Sequence, residues 1–111
     1  MNLPEEGCLL RIFIGEGDKY EGKLLYQWIV LKAKEYGLAG ATVIRGMMGF
    51  GAKSRIKTTS ILRLSQDLPI IVEIVDTEDK LESFLATIDH AISEGLATYE
   101  KANILFYRSG K

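Results

Sequence analysis

Residue types that often carry catalysis or covalent cross-links are scarce in this sequence. Its 111 residues include 1 cysteine and 1 histidine. A single cysteine excludes an intramolecular disulfide framework, and no second histidine or cysteine completes a set of zinc ligands. Cys8 is therefore interpreted as a small core residue and His90 as an exposed residue of a helix. Because no nucleophile–base pair or carboxylate pair stands out, we expect no catalytic residues, no metal site and no enzymatic activity.

Excess charge and long apolar runs are also missing. The formal net charge is -1, whereas a surface that binds nucleic acid needs a basic excess. No apolar run approaches the roughly 18 residues of a membrane-spanning helix. The opening residues 1–7 are polar and show no signal-peptide pattern. These absences predict a cytoplasmic protein that is not membrane-embedded and has no nucleic-acid partner.

Hydrophobic periodicity predicts a single domain over residues 1–111 with an α+β fold. A chain of this length can bury one core, and 47% of its residues are hydrophobic. Strands are predicted at 8–14, 41–47, 68–75 and 102–107, and helices at 24–36 and 77–94. This βαββαβ order is the ferredoxin-like arrangement, with an antiparallel four-stranded sheet and two helices on one face. A long loop, 48–67, separates the second and third strands.

The sheet face opposite the predicted helices has an unusual composition. Four apolar residues of the two central strands fall on it: Leu9, Phe13, Ile71 and Val75. Monomers usually avoid a contiguous apolar patch of this kind, so we expect a homo-oligomer to cover it; the alternative is a half-exposed sheet. Arg11 and Glu73 lie at the centre of the same face, and we expect them to pair because an unpaired buried charge is costly.

The segment 17–24, Gly-Asp-Lys-Tyr-Glu-Gly-Lys-Leu, matches the glycine and lysine spacing of a P-loop. However, Leu24 stands where a P-loop has the Ser or Thr that binds magnesium. Asp18 and Glu21 would also place negative charge beside a phosphate. The parallel sheet of an NTPase is missing from the predicted topology. We interpret this segment as a charged loop that leads into a helix, with a P-loop as the alternative.

A glycine-rich and then basic segment follows the second strand. Arg45 precedes Gly-Met-Met-Gly-Phe-Gly (46–51), and Lys53, Arg55 and Lys57 come after it. Glycines let the backbone approach a ligand closely, Phe50 could lie against a flat base or a neighbouring subunit, and the cations could meet phosphates. The alternative is a flexible hairpin loop with a solvated basic tip, and composition does not decide between the two.

Longer stretches of sequence resemble a prokaryotic family of uncharacterised PII-like proteins, related to the nitrogen-regulatory PII superfamily. The most specific are Gly-Ala-Thr-Val-Ile-Arg-Gly-Met-Met-Gly-Phe-Gly (40–51), Ser-Arg-Ile-Lys-Thr (54–58), Leu-Arg-Leu-Ser-Gln-Asp-Leu-Pro (62–69) and Val-Glu-Ile-Val-Asp (72–76). The resemblance covers nearly the whole chain. It implies a homotrimer of ferredoxin-like subunits that binds an adenine nucleotide in the clefts between subunits. A loop at about 49–60 would dock on a target.

The resemblance also implies which residues contact the nucleotide. Those of the expected site are Gly49, Phe50, Gly51, Lys101 and Arg108, with Arg45, Lys53 and Arg55 as outer members. PII proteins carry a Gly-Asp-Gly-Lys segment after the second helix, and this chain has 94–101 instead, where Gly95 and Lys101 are the nearest replacements. No tyrosine lies between Met47 and Asp67, so we expect no nucleotidylation of this loop.

Three functional hypotheses remain open at the level of sequence. The first is a sensor that binds ADP or ATP, needs no obligatory cofactor and regulates an enzyme, transporter or channel. The second is a ligand-independent trimeric interaction module that acts on a transporter or channel. The third is an enzyme on this common fold, because ferredoxin-like domains host many chemistries, but it needs a set of polar cleft residues that the sequence does not show.

Overall fold

The computed structural model of the chain describes residues 6–51, 57–58 and 67–110. The strands are β1 (Glu6–Gly15), β2 (Lys19–Tyr20), β3 (Lys23–Leu24), β4 (Thr42–Arg45), β5 (Met48–Gly49), β6 (Lys57–Thr58), β7 (Pro69–Asp76) and β8 (Leu96–Asn103). The helices are α1 (Leu25–Glu35) and α2 (Glu78–Ile88), and a short 3-10 helix, Asp89–Ala91, follows α2. No helix of the described residues is both long enough and apolar enough to cross a membrane.

The main sheet has four strands in the order β4-β7-β1-β8. All of its neighbouring strands are antiparallel, and β1 pairs with β7 on one side and with β8 on the other. The first and third long strands of the chain are therefore the two central strands. The ferredoxin-like α+β fold predicted from the sequence is confirmed.

The core lies between the sheet and the two helices. Alternate residues of the central strands are buried there: Leu10, Ile12, Ile14, Ile70, Val72 and Ile74. The helices meet them with their own apolar stripes: Leu25, Ile29 and Ala33 from α1, and Leu81, Phe84 and Ile88 from α2. Burying a large aliphatic or aromatic side chain contributes roughly 1.5–3 kcal/mol, so this buried set stabilises the fold. Cys8 is also buried, as expected.

Two predicted boundaries at the C-terminal end of the chain are wrong. The last strand is β8, Leu96–Asn103, and not 102–107; α2 ends at Ile88, and not near residue 94. Residues of β8 are mostly exposed, so this edge strand lacks the apolar alternation that marks the central strands. The apolar residues that suggested a strand at 102–107 have other roles, since Ile104 packs over Gly7 and Phe106 is exposed.

The predicted long loop is partly regular. Its first residues, β5, pair with β6 as a separate two-stranded sheet. The second strand of the main sheet, β4, covers only Thr42–Arg45 of the predicted 41–47. Lys53 and Arg55 lie outside the described residues.

The predicted pair of charges on the uncovered face is confirmed. Arg11 lies opposite Glu73 in the β1–β7 register, and its Nε donates to Glu73 Oε2 at 2.9 Å. The Nη1 atom also donates to Glu100 Oε1 at 3.0 Å. Glu100 was missed as a partner because it belongs to β8, whose position was predicted wrongly. Hydrogen bonds to Glu73 and then Glu100 raise the pKa of Arg11 further above its ordinary value.

Asp76, at the end of β7, is a fully buried carboxylate. It accepts hydrogen bonds from the backbone N–H of Ala39 at 2.9 Å and of Thr77 at 2.7 Å. Thr77 is the N-cap of α2 and accepts from the N–H of Lys80 at 3.3 Å. Asp76 therefore joins the connection between α1 and β4 to the start of α2.

Replacing Asp76 with Ala removes the acceptor of two backbone N–H groups in a buried position. Because each unsatisfied buried donor costs about 1–3 kcal/mol, we expect Asp76→Ala to lower the free energy of unfolding by about 2–4 kcal/mol. Urea denaturation at one fixed chain concentration measures the loss. Asp76→Asn keeps one acceptor oxygen and should lose less. An unchanged urea midpoint for Asp76→Ala would show that these contacts do not hold the fold.

Candidate functional site

A cavity of about 330 Å³ lies at the end of the sheet where β1 finishes and β7 begins. Its walls come from separate parts of the chain: the end of β1, Asp18, the segment 46–51, the start of β7 and the turn at 94–95. Phe13 and Ile71 lie opposite each other in the β1–β7 register and belong to the uncovered face of the sheet. The cavity is therefore bounded partly by the face on which the sequence predicted an oligomer contact.

Glycines make the close contacts in these walls possible. A Cβ atom on Gly46 would lie 2.9 Å from Pro69 Cγ, and one on Gly49 would lie 3.2 Å from the same atom. A Cβ atom on Gly95 would lie 2.8 Å from the carbonyl oxygen of Phe13. Real Cβ atoms essentially never come within 3.0 Å of such atoms, so a larger residue at Gly46 or Gly95 would force a neighbour to shift, while the contact at Gly49 is only tighter than usual. The restriction is strongest at Gly95, because its neighbour there is a backbone atom of β1.

The cavity is mainly apolar, and the charges that line it are negative. Asp18 and Glu94 are its lining carboxylates. The Asp18 Oδ2 atom already accepts a hydrogen bond from the N–H of Gly15 at 2.9 Å. No lysine or arginine is among the described lining residues. The cavity of one chain therefore suits a flat, weakly polar group better than a phosphate.

The structure brings together three of the nucleotide-binding residues predicted from the sequence. Gly49, Phe50 and Gly51 line the cavity, and Gly95, the nearest replacement for the PII phosphate segment, lines it from the opposite side. The Phe50 side chain is 74% exposed, so its ring can contact a ligand or a neighbouring chain.

Arg45 lies at the end of β4, directly before the lining residue Gly46. Its Nε is 3.3 Å from Glu16 Oε2. Arg45 therefore lies beside the cavity while its guanidinium is paired with a carboxylate, as the sequence alone could not show. Lys53 and Arg55 are outside the described residues, so their place in the site stays a prediction.

Lys101 and Arg108 do not reach the cavity within one chain. Lys101 pairs with Cys8 in the β1–β8 register, whereas the cavity residue Phe13 pairs with Leu96. Five residues of antiparallel strand separate the two positions, a distance of roughly 17 Å. The guanidinium of Arg108 instead lies over the ring of Phe106, 4.3 Å from its centroid.

The segment 17–24 is a hairpin and not a P-loop. It forms β2 and β3, and its turn has positive φ at Glu21 (51°) and Gly22 (79°). Two successive residues with positive φ are typical of a type I′ hairpin turn. The first N–H of α1, on Leu25, donates to the Asp18 carbonyl at 2.8 Å. The segment therefore leads into α1 as expected, but it is a short two-stranded hairpin and not an irregular loop.

An aromatic cluster that the sequence analysis missed holds this hairpin on the helices. The ring of Tyr20 lies 4.8 Å from that of Trp28 and 5.5 Å from that of His90, between ring centroids. His90 Nε2 and the Tyr20 hydroxyl are 3.1 Å apart, a hydrogen bond. His90 is exposed, as predicted, but it helps to position the hairpin next to Asp18. Tyr20 and His90 are 70 residues apart in sequence, and no short-range pattern signals such a contact.

Two other titrating groups have shifted pKa values: Cys8, near the start of β1, and Tyr99 of β8, which pairs with Leu10 in the middle of β1. Burial, followed by the negative charge of Glu78, raises the pKa of the Cys8 thiol. A hydrogen bond to Glu82, with its hydroxyl oxygen 2.8 Å from Oε1, raises the pKa of Tyr99. Both shifts favour the protonated forms of these two groups at neutral pH. The described residues also contain no cluster of three or more side chains that could hold a metal ion.

Comparison with known proteins identifies the family. Residues 7–104 match the family model DUF190, described as "Uncharacterized ACR". The chain belongs to the DUF190 family. It is similar to a UPF0166 protein of Aquifex aeolicus, at 40% identity over 98 residues that cover 88% of this chain and 92% of the relative. The resemblance noted from the sequence, to an uncharacterised PII-like family, is confirmed.

Solved structures with the same fold are PII-like. CPII of Thiomonas intermedia, bound to ADP and bicarbonate, superposes with a TM-score of 0.66 at 13% identity, over 89% of this chain and 88% of CPII. A Thermus thermophilus protein described as a putative PII-like signalling protein has a TM-score of 0.61 at 19% identity, over 89% of each chain. At these identities the likeness shows the fold: the DUF190 chain has a PII-like fold.

A test of the cavity walls uses the glycine contacts of the DUF190 chain. Gly95→Ala places a Cβ against the Phe13 carbonyl, which β-sheet hydrogen bonds hold in place, so we expect the free energy of unfolding to fall by about 1–3 kcal/mol. Gly40→Ala is the matched control, because a Cβ there meets nothing within 4 Å. Chemical denaturation of both variants measures the difference. Equal stability of the two variants would contradict the close contact at Gly95.

Proposed function

We propose that this DUF190 protein is a PII-like signalling protein and not an enzyme. It binds an adenine nucleotide, ADP or ATP, between the subunits of a homotrimer. It regulates a partner protein, an enzyme, transporter or channel, through the segment near 49–60. The observation that carries the proposal is the cavity where Gly49–Gly51 and Gly95 meet, at the edge of an uncovered apolar sheet face.

The uncovered face supports a site that lies between subunits. One row of cross-strand neighbours on it consists of Ile44, Ile71, Phe13 and Leu96. Ile44 and Leu96 are 42% and 59% exposed in the single chain. A second copy that covers this row buries apolar surface and at the same time closes the cavity, because Phe13 and Ile71 belong to both. The apolar contact thus favours assembly, and the assembly completes the site.

The size and lining of the cavity support a nucleotide base as the group that enters it. Ligand pockets usually have volumes of about 300–1,000 Å³ and mostly apolar walls with a few polar groups. The exposed ring of Phe50 offers a stacking surface, and the backbone of two neighbouring glycines offers hydrogen-bonding groups. CPII, which shares the fold, is bound to ADP, and this supports the same class of ligand here.

The phosphates require cations that the described lining residues of one chain do not supply. Lys101 lies opposite Cys8 near the start of β1, whereas the cavity lies at the end of β1, and Arg108 is not among the lining residues. In a closed ring of identical subunits, the far end of one chain can lie beside the near end of the next. We assign to Arg108, on the tail that follows β8, the role of reaching the phosphates in the cavity of a neighbouring subunit, with Lys101 close to it.

The proposed signal uses the position of the cavity at the base of the 49–60 segment. Gly49, Phe50 and Gly51 begin this segment and line the cavity. A bound nucleotide therefore contacts the residues that lead into it. We propose that the 49–60 segment exchanges between two conformations. A ligand shifts this equilibrium only by the difference in its affinity for the two conformations. Direct contact between the nucleotide and the segment makes such a difference possible.

A ligand-independent interaction module is the second candidate, and one observation favours it. Met47 and Met48 are 76% and 62% exposed and lie beside the exposed Phe50. Methionine-rich apolar surface is adaptable and is common where proteins bind partners. In this alternative the homotrimer presents the surface to a transporter or channel, and no nucleotide is needed.

Isothermal titration calorimetry with ADP, ATP and cyclic AMP tests the first proposal against the second. We expect saturable binding of ADP or ATP near one ligand per subunit. Phe50→Ala should weaken it by about 1–3 kcal/mol, that is, roughly 5- to 150-fold, because a stacking surface is lost. Met47→Ala is the matched control, since Met47 is exposed but does not line the cavity, and it should bind like the wild type.

Absence of heat with every nucleotide, in protein shown to be folded and assembled, would refute the sensor proposal. The interaction module would then be the better account. Equal loss of binding in the Phe50→Ala and Met47→Ala variants would place the ligand elsewhere.

A further inference from the structure

The ion pair between Arg45 and Glu16 spans the end of the sheet. Arg45 ends β4 and Glu16 follows β1, and β7 lies between these two strands. The Arg45 Nε lies 3.3 Å from Glu16 Oε2. The exposed fractions of the two side chains are 60% and 20%. The Arg45 side chain is therefore exposed at the surface, whereas the Glu16 side chain is partly buried.

Arg45 lies at the rim of the cavity. Its register partner in β7 is Ile70, which lines the cavity, and its neighbour in sequence is the lining residue Gly46. The charged groups among the described lining residues are all carboxylates. Arg45 lies just outside this lining, and its guanidinium can form an ion pair with an anionic ligand in the cavity. Its guanidinium is already paired with Glu16.

Glu16 also contacts the residues just before β7. Its backbone N–H donates to the Leu68 carbonyl at 2.7 Å, and its Oε1 accepts from the Leu68 N–H at 3.4 Å. The next residue, Gly17, donates to Asp67 Oδ1 at 2.7 Å. The Glu16 carboxylate thus uses one oxygen for Arg45 and the other for the backbone that leads into β7.

We propose that Glu16 is a positioning residue that holds Arg45 at the rim and competes with a ligand phosphate for its guanidinium. This inference rests on the proposed nucleotide site. When a phosphate group binds, the Arg45 guanidinium exchanges its contact with Glu16 Oε2 for phosphate oxygens, which accept charge-assisted hydrogen bonds from it. Glu16 keeps its hydrogen bond with Leu68. Its negative charge lowers the affinity of the site for an anionic ligand.

Glu16→Gln is the variant that isolates the charge, because glutamine keeps an acceptor oxygen for the Leu68 N–H. Partly exposed ion pairs contribute about 0.2–1 kcal/mol, so removing the competitor should tighten ADP binding about 1.4- to 5-fold in calorimetry. Glu35→Gln is the matched control. It removes the same charge from an exposed pair with Lys32 on α1, remote from the cavity, and should leave the affinity unchanged.

Two further titrations distinguish competition for Arg45 from a general effect of charge. In the Arg45→Gln background, Glu16→Gln should no longer tighten ADP binding, because the shared partner is absent. Adenosine, which has no phosphate, should bind the wild type and Glu16→Gln equally. These results together are expected from the proposal.

Each other result overturns it. Equal ADP affinity of the wild type and Glu16→Gln would show that the Arg45–Glu16 ion pair does not affect ligand binding. The proposed nucleotide site would still stand. Tightening that persists without Arg45, or that Glu35→Gln reproduces, would assign the effect to net charge. Absence of ADP binding in the wild type and in every variant would overturn the nucleotide site and this inference together.

Discussion

The register between β1 and β7 is the constraint on which the rest of the structure depends. It places every second side chain of the two central strands under the helices and the others on an uncovered face. A slip of one residue would exchange the two sets completely, because side chains alternate across a sheet. The Arg11–Glu73 pair favours this register, since the two residues lie directly opposite each other in it. Both the core and the uncovered sheet face follow from one alignment of strands.

The cavity arises where this alignment ends. There the backbone leaves the sheet through glycines at 46, 49 and 95 that pass close to Pro69 and Phe13. The close contacts of these glycines, rather than large side chains, therefore shape the walls of the site. Its described lining holds no cation, so we assign charge recognition to groups at its border: Arg45, held by Glu16, and residues from a neighbouring subunit.

Features with a short-range pattern could be predicted from the sequence. The alternation of side chains between the two faces of the strands at 8–14 and 68–75 predicted correctly which residues lie on each face of the sheet. The opposite charges of Arg11 and Glu73 predicted their pairing. The glycines of 49–51 indicated the cavity through a family resemblance. β8 was misplaced because an exposed edge strand has no apolar alternation. The Arg45–Glu16 pair, the Tyr20–His90 contact and the approach of Gly95 to Phe13 join residues far apart in sequence, and only the folded chain shows them.

The central claim is that each nucleotide site is completed by a second copy of the chain. Subunit complementation tests it most directly, with Phe50→Ala chains, which lack the stacking surface, and Arg108→Ala chains, which lack the distant cation. The two variants are expressed separately and together, with different tags, and ADP binding is measured on assemblies purified by both tags. We expect weak binding by each variant alone and tight sites in the mixed assemblies, where an intact cavity meets an intact Arg108. Mixed assemblies that bind no better than the separate variants would contradict the claim.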